Sequence, residues 1–204
     1  MFDLKTFEAS HRALRLTADV SVFHALQTAY DGSDRHYHNS SHVSHCLQAL
    51  QLYTDLAERP AEIELAIWFH DAIYDTKASD NEERSAVWLE NYLSDLNADA
   101  AMIARIAHMI RATKSHEADS DDARLMVDID LGILGTSPSS FRSYDEGIRQ
   151  EYHWVPDEVY APARSQILST FLSREQIYQT TVIRDRLEAP ARRNLEQRIA
   201  ELSA

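Results

Sequence analysis

The sequence predicts an all-α fold, a helical bundle in a single domain. The chain has 204 residues, 44% of them hydrophobic, which suits one domain with a sizeable core. Only four Gly and five Pro occur, too few for the frequent turns of an all-β fold. Apolar residues instead recur at helical spacing along most of the chain. We therefore expect one domain over 1–204, with a core at about 35–135 and a helical extension at about 138–204.

The helices are delimited by capping residues and helix-stop residues. Asn39 or Ser40 can cap the second helix. Asp80 with Glu83 three residues later has the pattern of a capping box, and Gly135 is typical of a helix end. These signals and the apolar periodicity predict helices at 6–30, 42–57, 60–74, 82–96, 98–114, 123–134, 139–152, 157–172 and 186–202.

Composition excludes several classes of partner. Asp and Glu total 33 against 20 Lys and Arg, a net charge of −13, and no basic stripe is present, so we expect no nucleic acid partner. No apolar run is long enough for a membrane span, and the first residues lack the apolar core of a signal peptide. The single Cys46 excludes an internal disulfide. We therefore expect a cytoplasmic protein without a membrane partner.

The stretch "AIWFHDAIYDT", residues 66–76, places His70 and Asp71 inside an apolar segment. Burying an ionised carboxylate there is costly unless a partner compensates the charge. A metal ion is one such partner, and His and Asp are common metal ligands. A polar pair satisfied by neighbouring side chains is the alternative explanation.

Other helices must complete a metal site, because adjacent residues on a helix point about 100° apart. The candidates are His42, at the start of the second helix, and Asp128 or Asp130 in the apolar stretch "VDIDLGILG". These two acids lie on different faces of a helix, so we expect only one of them to be a ligand.

A lone His, an adjacent His-Asp pair and a distant Asp, all on helices, together resemble the HD superfamily of metal-dependent phosphohydrolases. The resemblance covers the chain from Arg35 to the C-terminal helix. Within the superfamily, the chain resembles the uncharacterised bacterial branch of predicted HD phosphohydrolases. The segments that carry this resemblance are "RHYHNSSHV", "ELAIWFHDAIYD", "DNEERSA", "IRATKSH", "DIDLGILG" and "REQIYQT". The stretch "HDAIYDT" is also similar to alarmone pyrophosphohydrolases, except that Tyr74 stands in place of their Glu.

The resemblance implies one divalent metal, with a second metal left open. Its ligands would be His42, His70, Asp71 and Asp130, and Asp128 is the reserve candidate for the last of these. Mixed nitrogen and oxygen ligands favour Mn, Fe, Co, Ni or Zn over Mg.

The resemblance also implies hydrolysis of a small phosphorylated molecule, with a nucleotide as the first expectation. Asp71 or Asp75 would orient the attacking water, and Glu82, Glu83 or Asp75 would protonate the leaving oxygen. The expected substrate contacts are Arg35, His38, Lys114 and His116.

Two other functions stay open. A di-iron oxygenase of the HD type would need His108 and His116 as additional ligands. A non-catalytic sensor would keep the metal and bind a nucleotide without turnover. The oligomeric state is also open, and a homodimer is compatible with the sequence.

Overall fold

The computed structural model describes residues 1–203 and contains ten α-helices, two short 3-10 helices and no strand within that range. The predicted all-α class is therefore confirmed. None of these helices combines the length and the apolar character needed to cross a membrane. The helices are α1 (Leu4–Ala13), α2 (Val20–Tyr30), α3 (Ser40–Leu52), α4 (Pro60–Phe69), α5 (Asn81–Asp95), α6 (Ala100–Ala112), α7 (Asp121–Asp130), α8 (Pro138–Glu151), α9 (Asp157–Leu172) and α10 (Thr181–Leu202), with 3-10 helices at Thr54–Leu56 and Leu131–Gly135.

The chain forms two compact units, Met1–Asp130 and Leu131–Ala204. The boundary between these units lies close to the predicted boundary between the core, at about 35–135, and the extension, from about 138. That both belong to one domain stays a prediction. All the predicted metal ligands lie within the first unit.

Helix α4 is the centre of the first unit and packs against α1, α3, α5, α6 and α7. Its side chains from Leu65 to Phe69 are fully buried. The Trp68 ring meets Phe7 edge-on at 5.3 Å, and the Phe69 ring stacks on Tyr92 at 5.7 Å. A helix that is apolar on all sides is buried on all sides, as expected, and this places the His-Asp pair at the end of the most enclosed element.

The predicted helix at 6–30 is in fact two helices. Helix α1 ends at Ala13, and Arg15 adopts a left-handed conformation with a φ of 61°. The Asp19 carboxylate then accepts a hydrogen bond from the backbone N–H of Ser21 and starts α2. An N-cap inside an amphipathic stretch restarts the helix in a new direction, which helical periodicity alone does not reveal.

The predicted capping box at the start of α5 is wrong. Asp80 occupies the N-cap position without a side-chain cap hydrogen bond. Both carboxylate oxygens of Glu83 instead accept from Arg111, at 2.6 and 2.7 Å. A bidentate, charge-assisted contact to a guanidinium is stronger than a neutral cap contact, so Glu83 takes the distant partner.

In the second unit, α10 packs against α9 and the 3-10 helix Leu131–Gly135. The helix predicted at 123–134 is α-helical only as far as Asp130 and continues as this 3-10 helix. Gly135 is required by close packing, because an added Cβ would lie 2.7 Å from the Cβ of Leu187. Asn194 donates from Nδ2 to the carbonyl oxygens of Leu134 and Thr136, which ties α10 to the same segment.

Candidate metal centre

The His-Asp pair lies at the end of helix α4 and not within it. The sequence predicts a helix to residue 74, but α4 ends at Phe69 and His70 is its C-cap, with Asp71 in the following turn. His70 itself keeps helical backbone angles, with a φ of −56° and a ψ of −38°. Its imidazole and the neighbouring carboxylate nevertheless meet, since His70 Nε2 lies 3.1 Å from Asp71 Oδ2.

Four side chains from three parts of the first unit converge. The Nε2 atoms of His42 and His70 are 3.0 Å apart. His42 Nε2 lies 3.1 Å from Asp130 Oδ1, and His70 Nε2 lies 3.1 Å from Asp71 Oδ2. The crossed distances, His42 to Asp71 and His70 to Asp130, are both 3.6 Å. The structure thus brings together the four residues predicted as ligands.

These spacings fit a metal ion. Donor atoms about 2.1 Å from one ion lie about 3.0–3.4 Å apart at octahedral or tetrahedral angles. The five measured separations run from 3.0 to 3.6 Å. The groups in this cluster could therefore hold a metal ion.

Backbone contacts orient both imidazoles. His70 Nδ1 lies 2.9 Å from the carbonyl oxygen of Ile67 and must donate its proton to that oxygen. The neutral His70 ring therefore presents an unprotonated Nε2 to the cluster, the arrangement found for metal-ligating histidines. Asn39 caps α3 by accepting from the backbone N–H groups of Ser41 and His42, which fixes the first turn that carries His42.

The cluster needs positive charge. Burial lowers the pKa of the His70 imidazole, but Asp71 and Asp130 outweigh this effect and raise that pKa well above 6.5. Burial would raise the pKa of Asp71, but His70 and His38 hold it well below its ordinary value. The pKa of Asp130 is also depressed, by hydrogen bonds that outweigh burial. Imidazolium protons or a metal cation can meet this requirement.

Asp130 and Asp128 lie on different faces of α7, as the sequence predicts. Asp130, the last residue of α7, has its carboxylate at the cluster, with a side chain 13% exposed. Asp128 is fully buried two residues earlier, about 200° away around the helix. The geometry favours Asp130 as the ligand.

Two predicted substrate contacts lie beside the cluster. His116 has a left-handed backbone with a φ of 51°, and its Nε2 lies 3.3 Å from Asp130 Oδ2. The centre of the His38 ring lies 6.0 Å from that of His42 and 4.2 Å from that of Tyr74, to which it is tilted by 30°. His116 therefore contacts the second oxygen of an expected ligand, which the sequence does not indicate.

Arg35 and Lys114 are both engaged with the backbone. The Arg35 guanidinium donates to the carbonyl oxygens of His38, Asp71 and Ala72. Exposed Lys114 donates from Nζ to the carbonyl oxygen of Ser79 at 2.6 Å. The expected phosphate contact by Arg35 is not what this geometry favours, because three of its N–H bonds already serve protein oxygens.

The remaining candidate acids occupy the segment before and at the start of α5. Exposed Asp75 accepts a hydrogen bond from the backbone N–H of Lys77. The hydrogen bonds from Arg111 lower the pKa of Glu83, which makes this carboxyl a poor proton donor. Glu82 is half-buried in the first turn of α5 and stays a candidate.

The two additional histidines that a di-iron centre would need, His108 and His116, contact different carboxylates. His108 Nε2 lies 2.7 Å from a carboxylate oxygen of Asp119, and both side chains are exposed. His116 is held by Asp130 instead. The two histidines are thus bound by different carboxylates, and the geometry does not pair them.

Cys46 is a neighbour of the cluster that sequence reasoning missed. Its Sγ lies 3.8 Å from Nε2 and 3.9 Å from Nδ1 of His42. These nearly equal distances place the sulfur along the ring and not in line with the Nε2 lone pair. Burial raises the thiol pKa well above 9.0, and Asp130 and Asp71 raise it further. The sequence could have indicated this neighbour, because Cys46 follows His42 by four residues on one helix and so lies on the same helix face.

Comparison with known proteins adds no relative, since no family model, curated protein or solved structure matches the chain. Membership of the HD superfamily therefore stays a prediction from the sequence.

Proposed function

We propose that this chain is a metal-dependent phosphohydrolase that acts on a small phosphorylated molecule, with a nucleotide as the first candidate. The observation that carries the proposal is the convergence of two imidazoles and two carboxylates, in which each imidazole lies 3.0 to 3.6 Å from the other and from both carboxylates. Two nitrogen and two oxygen donors favour Mn, Fe, Co, Ni or Zn over Mg, which prefers oxygen ligands.

His42, His70, Asp71 and Asp130 would hold the ion. When bound, such an ion polarises a phosphoryl oxygen and lowers the pKa of a coordinated water. Asp71 is 18% exposed and Asp130 is 13% exposed, so solvent reaches the carboxylate side of the cluster, while both imidazoles are almost fully enclosed. A small substrate would approach from the carboxylate side. Asp71 would orient the attacking water from this side.

The polar groups around the carboxylates would contact the substrate. His116 is 24% exposed next to Asp130, and His38 lies beside His42. Lys114 is the candidate cation, since its ammonium group has three N–H bonds and donates one of them to Ser79. The net charge of −13 repels anions at long range, so phosphate affinity must come from the metal and these local groups.

The test combines metal analysis with an activity screen. Purified protein should contain about one transition metal per chain. Metal-free protein reconstituted with Mn, Fe, Co, Ni, Zn or Mg should release phosphate or nitrophenol from nucleoside monophosphates, p-nitrophenyl phosphate or its bis ester. His70→Ala should lose both metal and turnover. Exposed His24 on α2 is the matched control, and His24→Ala should keep both.

Two results would replace the proposal. Metal binding without turnover of any phosphate ester would make the chain a binding module. Two irons per chain with oxygen uptake would make it an oxygenase, despite the separate partners of His108 and His116.

A further inference from the structure

Arg35 makes an unusual set of contacts at the end of α4. Its Nη1 lies 2.6 Å from the carbonyl oxygen of Asp71 and 2.9 Å from that of His38. Its Nη2 lies 2.9 Å from the carbonyl oxygen of Ala72. One planar guanidinium thus holds two consecutive carbonyl groups of the His-Asp turn and one carbonyl group of the segment before α3.

Two tyrosine rings flank this guanidinium. The Arg35 Cζ lies 5.2 Å from the ring centre of Tyr30 and 5.3 Å from that of Tyr74. Tyr30 is fully buried, and its hydroxyl donates to the carbonyl oxygen of Trp68. Aromatic faces attract the cation and reduce its contact with water, which strengthens its hydrogen bonds.

These contacts explain why α4 stops where it does. The last carbonyl groups of a helix have no partner within the helix and need one elsewhere. Tyr30 supplies a partner for Trp68, and Arg35 supplies partners for the two carbonyl groups of the turn that follows His70. The helical hydrogen bonding can therefore end at Phe69 with these carbonyl groups satisfied, and Arg35 holds the turn that carries His70 and Asp71.

The same arginine ties this turn to the segment that positions His42. Arg35 donates to the carbonyl oxygen of His38, and the next residue, Asn39, caps α3 through Ser41 and His42. Asn39 also donates from Nδ2 to the carbonyl oxygen of His36. The His42 and His70–Asp71 halves of the cluster are thus joined through one side chain.

We propose that Arg35 is a positioning residue of the metal centre, which holds the His70–Asp71 turn against the start of α3, and that it does not bind the phosphate of the substrate. The inference rests on the metal site of the proposed function. It needs no particular substrate.

The test measures metal affinity without substrate. Metal-free wild type, Arg35→Met and Arg35→Lys are titrated with Zn or Mn in competition with a chromophoric chelator. Loss of a group that orients metal ligands typically weakens binding about 10- to 100-fold, and we expect this loss for both variants. Lysine at this position should not restore metal affinity, because a single ammonium group cannot reproduce the planar guanidinium that bridges several carbonyl groups.

Arg149 in the second unit is the matched control. It donates to the carbonyl oxygens of Tyr152 and Val155, at 2.7 and 3.0 Å, and lies 4.5 Å from the ring centre of Tyr160. Arg149→Met removes a similar backbone clamp, together with an ion pair to Asp157, from a unit without the predicted ligands. It should lower the melting temperature and leave metal affinity at the wild-type value.

The outcomes separate the two proposals. Wild-type metal affinity in Arg35→Met would overturn the inference, and a raised KM in the same variant would restore Arg35 as a phosphate contact. Wild-type affinity in Arg35→Lys would show that only the charge matters, which also overturns it. Metal binding by wild type without phosphatase activity would defeat the proposed function and leave this inference intact. Absence of metal binding by folded wild type would defeat both.

Discussion

Both units of the protein hold carboxylates that are buried or mostly enclosed, and they compensate them differently. In the second unit, Asp145 has a side chain only 3% exposed and accepts from Arg164 at 2.9 Å and from Arg198 at 2.5 Å. Arg164 also donates to the hydroxyl of Tyr144. Arginine keeps its proton at any ordinary pH, so the negative charge of Asp145 is permanently matched within the protein.

In the first unit, the partners of Asp71 and Asp130 are imidazoles. An imidazole can lose its proton and then offers a lone pair, so the same two residues can either carry charge or bind a cation. The difference teaches that a buried acid does not by itself indicate a functional site. Arginine partners complete an ion pair, whereas histidine partners leave a place for a metal.

The largest effect should come from breaking the arginine cluster. Asp145→Ala leaves Arg164, 7% exposed, without its carboxylate, and an unpaired buried charge costs about 3–5 kcal/mol. Chemical denaturation of the metal-free protein should show this loss. Metal affinity of the folded protein should be unchanged. A loss below about 1 kcal/mol would mean that the ion pair does not stabilise the fold.

A smaller effect should come from changing one acid of the imidazole cluster. Asp130→Asn removes a negative oxygen donor, and we expect metal affinity to fall about 100-fold, equivalent to about 2.7 kcal/mol. Asp128→Asn, on another face of the same helix, should keep the metal and alter stability instead. Isothermal titration with Zn or Mn distinguishes them. Reversed phenotypes would make Asp128 the ligand.

The smallest effect concerns a buried histidine without an acidic partner. His11 is fully buried, and its Nδ1 and Nε2 each lie 2.7 Å from an oxygen, the carbonyl of Phe7 and the hydroxyl of Tyr92. Burial lowers the pKa of His11 below 6.5, despite the contact with Phe7. His70, beside two carboxylates, has its pKa shifted the opposite way.

The direction in which pH changes the stability follows from proton binding. Unfolded His11 takes up a proton near pH 6.5 and folded His11 does so only at lower pH, so its contribution to stability is complete above pH 6.5 and is lost as the pH falls. The slope cannot exceed about 1.4 kcal/mol per pH unit. His11→Gln should reduce the loss of unfolding free energy between neutral and mildly acidic pH. An unchanged pH profile would mean that His11 is not buried as a neutral ring.

The sequence by itself determined the features that depend on neighbouring residues. Helical periodicity and turn residues predicted an all-α chain, and the observed α9, Asp157–Leu172, has the predicted bounds. The cost of burying charged groups in apolar segments singled out His70 and Asp71 and made His42 and Asp128 or Asp130 the candidates to complete a site. The choice of Asp130 came from the resemblance to the HD superfamily. The structure brings the four predicted ligands together, while their metal and their activity stay predictions.

Only the tertiary structure decided the features that depend on residues far apart in the chain. Helix α4 stops at Phe69 because Tyr30 and Arg35, more than thirty positions earlier, supply the hydrogen bonds that a longer helix would have made. Glu83 leaves its cap position for Arg111 for the same reason. Helix propensity and capping patterns describe what a segment prefers alone, and hydrogen bonds to distant side chains, several of them charge-assisted, are strong enough to override that preference.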